Sequence, residues 1–521
     1  MEGRSPRRRP ITPYCSLFTV HCSLFTIYHS PIPSTTDPIS QAIVALAIVG
    51  VFVLLTLEKA HRVLVIFSAV AVLWLVTYLT PYHLISFEAA HRALDLNVLL
   101  LLASMMAIVG VLKTTGVFGW MAERIVESSK GRARALQGRV VWFTGILSAF
   151  ADNVTTVLFM YPMASTMAAA AAIPAAALLL PMVVASNIGG TATLIGDPPN
   201  ILIGSGAGLS FTAFIVNLAM PVLWMMVACA AFCRWYYRGP LQQARPAPDA
   251  PAQAITEPLL LKWGLVISAL VFLGFLTHTA THMPPAVPAA IGAAALLVVQ
   301  DVLYLRKNRA SPSERVHGIL TVIEREIEWP TLAFFAFLFI AVGAAVATGL
   351  IDTVARSLIA LIESGRAGMG LSEAGTLLFA ALLVLWVSGV LSALIDNIPY
   401  VAVAIPLVAR LTAELPGDVQ VLWWALALGA CLGGNGSAIG ASANVTVIGL
   451  ADRAGSHISF RQFTRFGAPM TAITLLIASA FVALHIYVGP RPTLLGGSFG
   501  LVLYGLGSRW IRRTPSPVPS L

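Results

Sequence analysis

The sequence predicts an all-α polytopic membrane protein built from two inverted-topology repeats. Each repeat is expected to carry a re-entrant helical hairpin and a broken helix, giving about 10–12 spans besides the two hairpins. Three observations carry this expectation. The 521 residues are 58% hydrophobic and only 11% charged, against about 25% charged in a soluble protein. A polar pattern recurs 244 residues apart. The cations gather in the segments between apolar runs.

A spanning helix needs roughly 20 apolar residues. Runs that meet this need lie at 41–58, 62–80, 96–112, 210–233, 258–277, 284–304, 330–351 and 465–488. The stretches 136–206 and 377–450 are also apolar but are punctured by Pro, Gly, Asp and Asn. Residues 1–40, with Arg4, Arg7, Arg8, Arg9 and the doubled Cys-Ser-Leu-Phe-Thr motif at Cys15 and Cys22, read as a disordered tail or a misplaced start. Residues 41–94 are expected to form N-terminal scaffold helices and 95–234 the first repeat. A Pro- and Ala-rich linker with two spans follows at 235–328, then the second repeat at 329–488 and a tail at 489–521.

The repeat is read from residues that apolar sequences do not match by chance. Ser148-Ala149-Phe150-Ala151-Asp152-Asn153 corresponds to Ser392-Ala393-Leu394-Ile395-Asp396-Asn397. In the same register Pro162 pairs with Pro406, Gly189-Gly190 with Gly433-Gly434, Gly196 with Gly440 and Asn200 with Asn444. At a shift of 233, Gly110 and Thr115-Gly116 match Gly343 and Thr348-Gly349, so copy two is expected to hold a longer loop. Ser210-Phe211 and Ser459-Phe460 open the helix after each break.

The net charge of +9 does not point to nucleic acid, because its cations sit at 113–139, 234–245, 305–325 and 453–465. The positive-inside rule puts all four segments in the cytoplasm. One topology satisfies them: the first hairpin enters from the cytoplasm, the second from outside, and the two copies are inverted. The expected location is the cytoplasmic membrane, crossed many times.

An Asp at the centre of a spanning helix costs roughly 2.5–3.5 kcal/mol on insertion scales. Two in equivalent positions point to a function that outweighs the cost. Asp152 and Asp396 are placed at the hairpin tips, where each either caps the returning helix or loads a proton or cation. Ser or Asn caps as well without a charge, so a coupling site is the expectation. Asn153 and Asn397 either bind ion or substrate or satisfy exposed backbone. Gly189, Gly190, Thr193, Asn200, Gly433, Gly434, Ser437 and Asn444 are the candidates within the Gly-rich breaks. The glycines there permit close approach of backbone or ion, or serve helix packing. Asp197 lacks an acidic partner in copy two, where Ala441 stands, and reads as a cap before Pro198-Pro199. Cys431 reads as a buried filler, with a soft metalloid ligand as the alternative. The five cysteines show no metal-ligand spacing.

Inverted repeats whose broken helices meet near the midplane are the design of secondary transporters. Half-helix N-termini there suit an anion, and unwound carbonyls with Asn or Asp oxygens suit Na⁺ or H⁺. Other classes fare worse. An intramembrane aspartyl protease needs its two carboxylates to share a proton, and neither Tyr-Asp nor Gly-x-Gly-Asp surrounds Asp152 or Asp396. A channel would show ion flux far above roughly 10³ per second.

The segments Phe150-Ala-Asp-Asn-Val-Thr-Thr-Val-Leu-Phe-Met-Tyr-Pro162 and Ala185-Ser-Asn-Ile-Gly-Gly-Thr-Ala-Thr-Leu-Ile-Gly-Asp-Pro-Pro-Asn200 resemble the signature of the ion-transporter superfamily with a citrate-transporter-like permease domain. Over roughly residues 41–488 the chain is most similar to the branch of the arsenite permease (ArsB) and the P protein. The resemblance implies an elevator-like movement, no enzymatic activity, and no cofactor other than H⁺ or Na⁺ as coupling ion. It implies a small ion as substrate, the lipid bilayer as surroundings and a homodimer. It leaves a soluble ATPase partner open without favouring it. Related dicarboxylate carriers hold Ser-Asn-Thr at the tips, where this chain has Asp152-Asn153-Val154 and Asp396-Asn397-Ile398. The tip Asp is similar to that of NhaD-type Na⁺/H⁺ antiporters. The function expected is a secondary active transporter of a small anion or arsenite coupled to H⁺ or Na⁺. The alternative is a Na⁺/H⁺ antiporter.

Overall fold

The computed structural model describes residues 37–57, 59–245, 254–308 and 322–489. The expectations for most of residues 1–40, for the C-terminal tail and for part of the linker lie outside them. Every regular element is a helix among the described residues. In chain order they are α1 (Pro38–Thr56), α2 (Arg62–Leu79), α3 (Phe87–Ala93), α4 (Leu96–Thr114), α5 (Val117–Ser129), α6 (Ala133–Ser148) and α7 (Asn153–Ala170). Then come α8 (Ala176–Gly190), α9 (Pro198–Ala207), α10 (Phe211–Tyr236), α11 (Arg238–Gln243), α12 (Pro258–Thr281) and α13 (Ala286–Asn308). After a π-turn at Val322–Glu326 follow α14 (Trp329–Ala347), α15 (Leu350–Met369), α16 (Glu373–Leu394) and α17 (Asn397–Glu414). The last are α18 (Gln420–Gly433), a 3₁₀ turn at Gly434–Gly436, α19 (Ser442–Arg453) and α20 (Phe460–Val488).

Nine of the described helices are long and apolar enough to cross a membrane. Eight are the continuous spans expected from the sequence, and the ninth, α16, is the first arm of the second hairpin. The pairs α6/α7 and α16/α17 are the hairpins, and α8/α9 and α18/α19 the broken helices. Counting each broken helix as one crossing, four crossings separate the end of α4 from the start of α14. The second repeat therefore begins on the side where α4 ends, which makes the repeats inverted.

Local chemistry sets the boundaries. Each hairpin turns at an Asp whose carboxylate accepts the next free N–H: Thr155 N to Asp152 at 2.8 Å, and Ile398 N to Asp396 at 3.4 Å. These satisfy donors that a helix start leaves open. Ser210 and Ser459 cap α10 and α20 in the same manner. Pro162 and Pro406 lie within α7 and α17 at matched depth.

Burial runs opposite to that of a soluble protein. The most completely buried elements are the first halves of the broken helices: every residue of α8 is buried, as is α18 from Val421 to Gly433. The long apolar spans lie outside them and leave Leu46, Leu75, Leu79 and Leu270 exposed, a surface suited to lipid. In each repeat the broken helix packs against its own hairpin, α8 on α6 and α7, α18 on α16 and α17. The second halves cross over: α9 packs on α17, and α19 on α7.

Two expectations need correction. The eleven extra residues of copy two are not merely a longer loop. Helix α15 has twenty residues where its counterpart α5 has thirteen. Both follow a glycine in the left-handed region, Gly116 at φ +79° and Gly349 at φ +72°, which fixes an abrupt turn that an L side chain resists. The cation-rich stretch 113–139 accordingly contains amphipathic α5. The breaks are also shorter than read. Gly189 and Gly190 remain helical, and the chain unwinds only at 191–197. These glycines allow contact instead: a Cβ on Gly189 would fall on the Gly145 backbone, and one on Gly433 on the Gly389 backbone.

Substituting Gly189 or Gly433 by Ala should therefore destabilise the purified protein by about 3 kcal/mol or more, since backbone cannot move aside as a side chain does. Gly138→Ala in α6, where a Cβ meets nothing within 4 Å, should be neutral or stabilising by up to about 1 kcal/mol. Thermal unfolding in detergent compares the three, and equal midpoints would refute the close-packing role.

Candidate functional site

The two breaks carry matched hydrogen bonds. The Asn200 amide donates to the carbonyls of Gly190, Thr191 and Thr193 at 3.4, 3.1 and 2.8 Å. Asn444, its counterpart, donates to those of Gly434 and Ser437 at 2.8 and 2.9 Å. Each distal Asn thus holds the carbonyls its own break releases. The hydroxyls of Thr193 and Ser437 donate to the carbonyls of Ala149 and Ala393, just before the hairpin tips. Their protons are committed to joining break to tip.

The remaining amide oxygens tie the repeats together. Asn187 Nδ2 donates to Asn444 Oδ1 at 3.0 Å and to Asn435 Oδ1 at 2.9 Å. Residue 431 is the counterpart of 187, and the Cys431 thiol donates to Asn200 Oδ1 at 3.5 Å. Each broken helix therefore reaches from the same register position to the distal Asn of the other. Cys431 is more than a filler.

The symmetry fails at one point. Asn153 Nδ2 donates to Asn187 Oδ1 at 3.1 Å and to Asp197 Oδ1 at 3.3 Å. In copy two those acceptors are replaced by Cys431 and Ala441. Asn397 Nδ2 is accordingly buried with no partner, as is Asp197 Oδ2. Asp197 occupies the cap position of α9 but its side chain caps nothing, so the reading of it as a cap residue is corrected.

Two cavities adjoin these groups. A small chamber of ≈ 40 Å³ is lined by Asp152, Asn153, Asp197 and Asn397 together with Arg62, Glu328 and Ser442. Space of that size holds a few waters or one dehydrated ion. A vestibule of ≈ 470 Å³ is lined by Asp396, Val154, Leu158 and Thr446, and shares Arg62, Glu328 and Ser442 with the chamber. The two tip carboxylates are thus divided, Asp152 to the chamber and Asp396 to the vestibule. Arg62 Nη1 donates to Ser442 Oγ at 3.2 Å, and Ser442 Oγ donates to Asp396 Oδ2 at 2.9 Å. Glu328 Oε2 accepts from Thr331 Oγ1 at 2.9 Å. Four carboxyl groups and one guanidinium line the joined space. Hard cations take carboxylate and carbonyl oxygens, which Asp152 and Asp197 can supply.

Of the residues named from the sequence, Asp152, Asn153 and Asn397 line the chamber and Asp396 the vestibule, whereas Gly189, Gly190, Thr193, Asn200, Gly433, Gly434, Ser437 and Asn444 line neither and serve the hydrogen bonds and close contacts of the breaks. Sequence reasoning did not single out Arg62, Asn187, Glu328, Asn435 or Ser442 as site residues. The signals were available for some: Asn187 stands at −13 from Asn200, as Cys431 does from Asn444, within the matched register. Nothing local marked Arg62, which reaches the site from α2.

Comparison with known proteins agrees with this architecture. A model of the citrate transporter family CitMHS matches residues 52–429. An uncharacterized transporter of Mycobacterium tuberculosis is 37% identical over 455 residues, covering 86% of this chain and 99% of its own. The human P protein is 29% identical over 86% of this chain and 61% of its own length. Among solved structures, the YdaH transporter of Alcanivorax borkumensis superposes with a TM-score of 0.53 at 16% identity, over 82% of this chain and 99% of that one. That likeness is one of fold.

Asn187→Leu should take the donor from the oxygens of Asn435 and Asn444, while the Asn153 amide keeps Asp197, and cost about 1–3 kcal/mol per orphaned group. Cys431→Ser keeps a donor toward Asn200 and should cost less. Thermal midpoints of the two purified variants test the order, and the reverse order would contradict the cross-repeat assignment.

Proposed function

The chain belongs to the CitMHS citrate transporter family and is a membrane transporter; we propose that it moves a small anion coupled to H⁺ or Na⁺, with the cation loaded between Asp152 and Asp197. The observation that carries this reading is the chamber itself. It pairs a half-buried carboxyl, Asp152, with a buried one, Asp197, whose Oδ2 has no hydrogen-bond partner. A proton or a dehydrated Na⁺ completes that arrangement, because an unpaired buried carboxylate is costly. The unpartnered Asn397 amide, which lines the chamber, and Arg62, which lines both spaces, supply donors for an anion where chamber and vestibule meet, and the vestibule has room for a small carboxylate or oxyanion. Neutralising the carboxyls with the coupling cation removes the repulsion an anion would meet there.

The four-to-one excess of carboxyl groups also favours a second reading, a Na⁺/H⁺ antiporter that needs no anion. The vestibule is bordered by Ala60 and Arg62 beside the α1–α2 turn and by Glu328 before α14. The positive-inside rule assigns these to the cytoplasm, so the conformation is read as open inward.

Asp152→Asn and Asp197→Asn should each lower gradient-driven uptake in proteoliposomes at least tenfold while the protein still inserts and elutes as wild type; wild-type coupling in both would sink the chamber assignment. Sodium-driven proton flux with no added anion decides for the antiporter, and its absence decides against it. Thr446→Cys, on the vestibule wall, should react with an impermeant thiol reagent added from the cytoplasmic side, and reaction only from outside would reverse the orientation.

A further inference from the structure

A second cavity with a different chemistry lies away from the chamber, where the start of α6 meets the end of α10. Its volume is ≈ 850 Å³, and its walls include Arg132, Arg134, Arg139 and Arg234 with Gln242 of α11. No carboxylate lines it among the described residues. None of the four arginines takes part in the salt bridges of the described residues, which join Lys113 to Glu326 and Arg410 to Asp352 among others. Arg139 Nη1 is buried without a hydrogen-bond partner. A guanidinium nitrogen taken from water and left unpaired is costly, and turning it toward an anion in this cavity would relieve that cost. Helix α6 opens beside it with Arg132 at its cap position and no side chain capping its first turn, which adds a partial positive charge.

The level of the cavity in the molecule identifies the occupant. Arg234 stands in the last turn of the apolar span α10, beside exposed Trp235 and Tyr236 at its end. Exposed Trp and Tyr at the end of a span mark the headgroup level of a bilayer. Basic pockets between spanning helices on the cytoplasmic side accommodate anionic headgroups. We propose that this cavity is a binding site for a phosphate-bearing anion, namely the headgroup of an anionic phospholipid of the inner leaflet. Arg139 contacts the phosphate from below, and Arg132, Arg134 and Arg234 surround it. The site is separate from the transport chamber and does not depend on the ion carried.

The test uses the full chain purified in a zwitterionic detergent-like environment. Phosphatidylglycerol, phosphatidylcholine and inorganic phosphate are titrated at constant ionic strength, and the thermal midpoint and bound lipid by native mass spectrometry are read. Phosphatidylglycerol should raise the midpoint saturably and remain bound, and phosphatidylcholine should do neither. Arg139→Gln combined with Arg234→Gln should weaken the phosphatidylglycerol effect at least tenfold, while its midpoint without lipid confirms that the variant folds. An equal response to the two lipids, or an unchanged response in the double variant, would overturn the site. A midpoint shift with inorganic phosphate but none with phosphatidylglycerol would overturn the assignment to lipid.

Discussion

The constraint on which the fold rests is that backbone unwound at membrane depth must be satisfied without water. The chain meets it twice with the same device. Asn200 and Asn444 each turn back and hold the carbonyls that their own break exposes. Breaks so satisfied can be buried completely, and it is this burial that lets two polar loops sit at the centre of an apolar molecule. The hairpin tips then need only to be fastened to the breaks, which Thr193 and Ser437 do through their hydroxyls.

Once both breaks are buried, each distal Asn has an oxygen left over. The opposite broken helix supplies the donor, an amide from Asn187 in one direction and a thiol from Cys431 in the other. The repeats are thereby joined at their least hydrophobic point, while α9 on α17 and α19 on α7 join them by apolar packing. Polar satisfaction and close glycine contacts at Gly189 and Gly433 act together: the contacts bring backbone near enough for short polar side chains to reach.

Much of this could be read in the chain because it is local in sequence or fixed by one register. The spans follow from apolar length, and the hairpin tips at Asp152 and Asp396 and the pairing of Asn200 with Asn444 from the duplication. Three things were not legible. Gly189 and Gly190 look like helix breakers, yet they remain helical, and their missing Cβ atoms admit the Gly145 backbone at Gly189 and the Gly196 backbone at Gly190. Asp197 has the surroundings of a cap before Pro-Pro, and only the fold shows its carboxylate turned toward Asn153. Arg62 belongs to a helix outside both repeats, so no internal comparison could bring it to Ser442 and Asp396.

The replacement of Asn187 and Asp197 by Cys431 and Ala441 in the second copy has a kinetic consequence. A carrier made of two interchangeable inverted halves would look alike from either side of the membrane, and its inward and outward strokes would be mirror images with equal barriers. Here one half holds a dense web of amides and an extra acid, and the other a thiol and a methyl group. In an alternating-access carrier with such halves, the two strokes would start from wells of unequal depth. At equal and opposite gradients such a carrier rectifies: it runs faster in one direction than the other, although the equilibrium it approaches is the same.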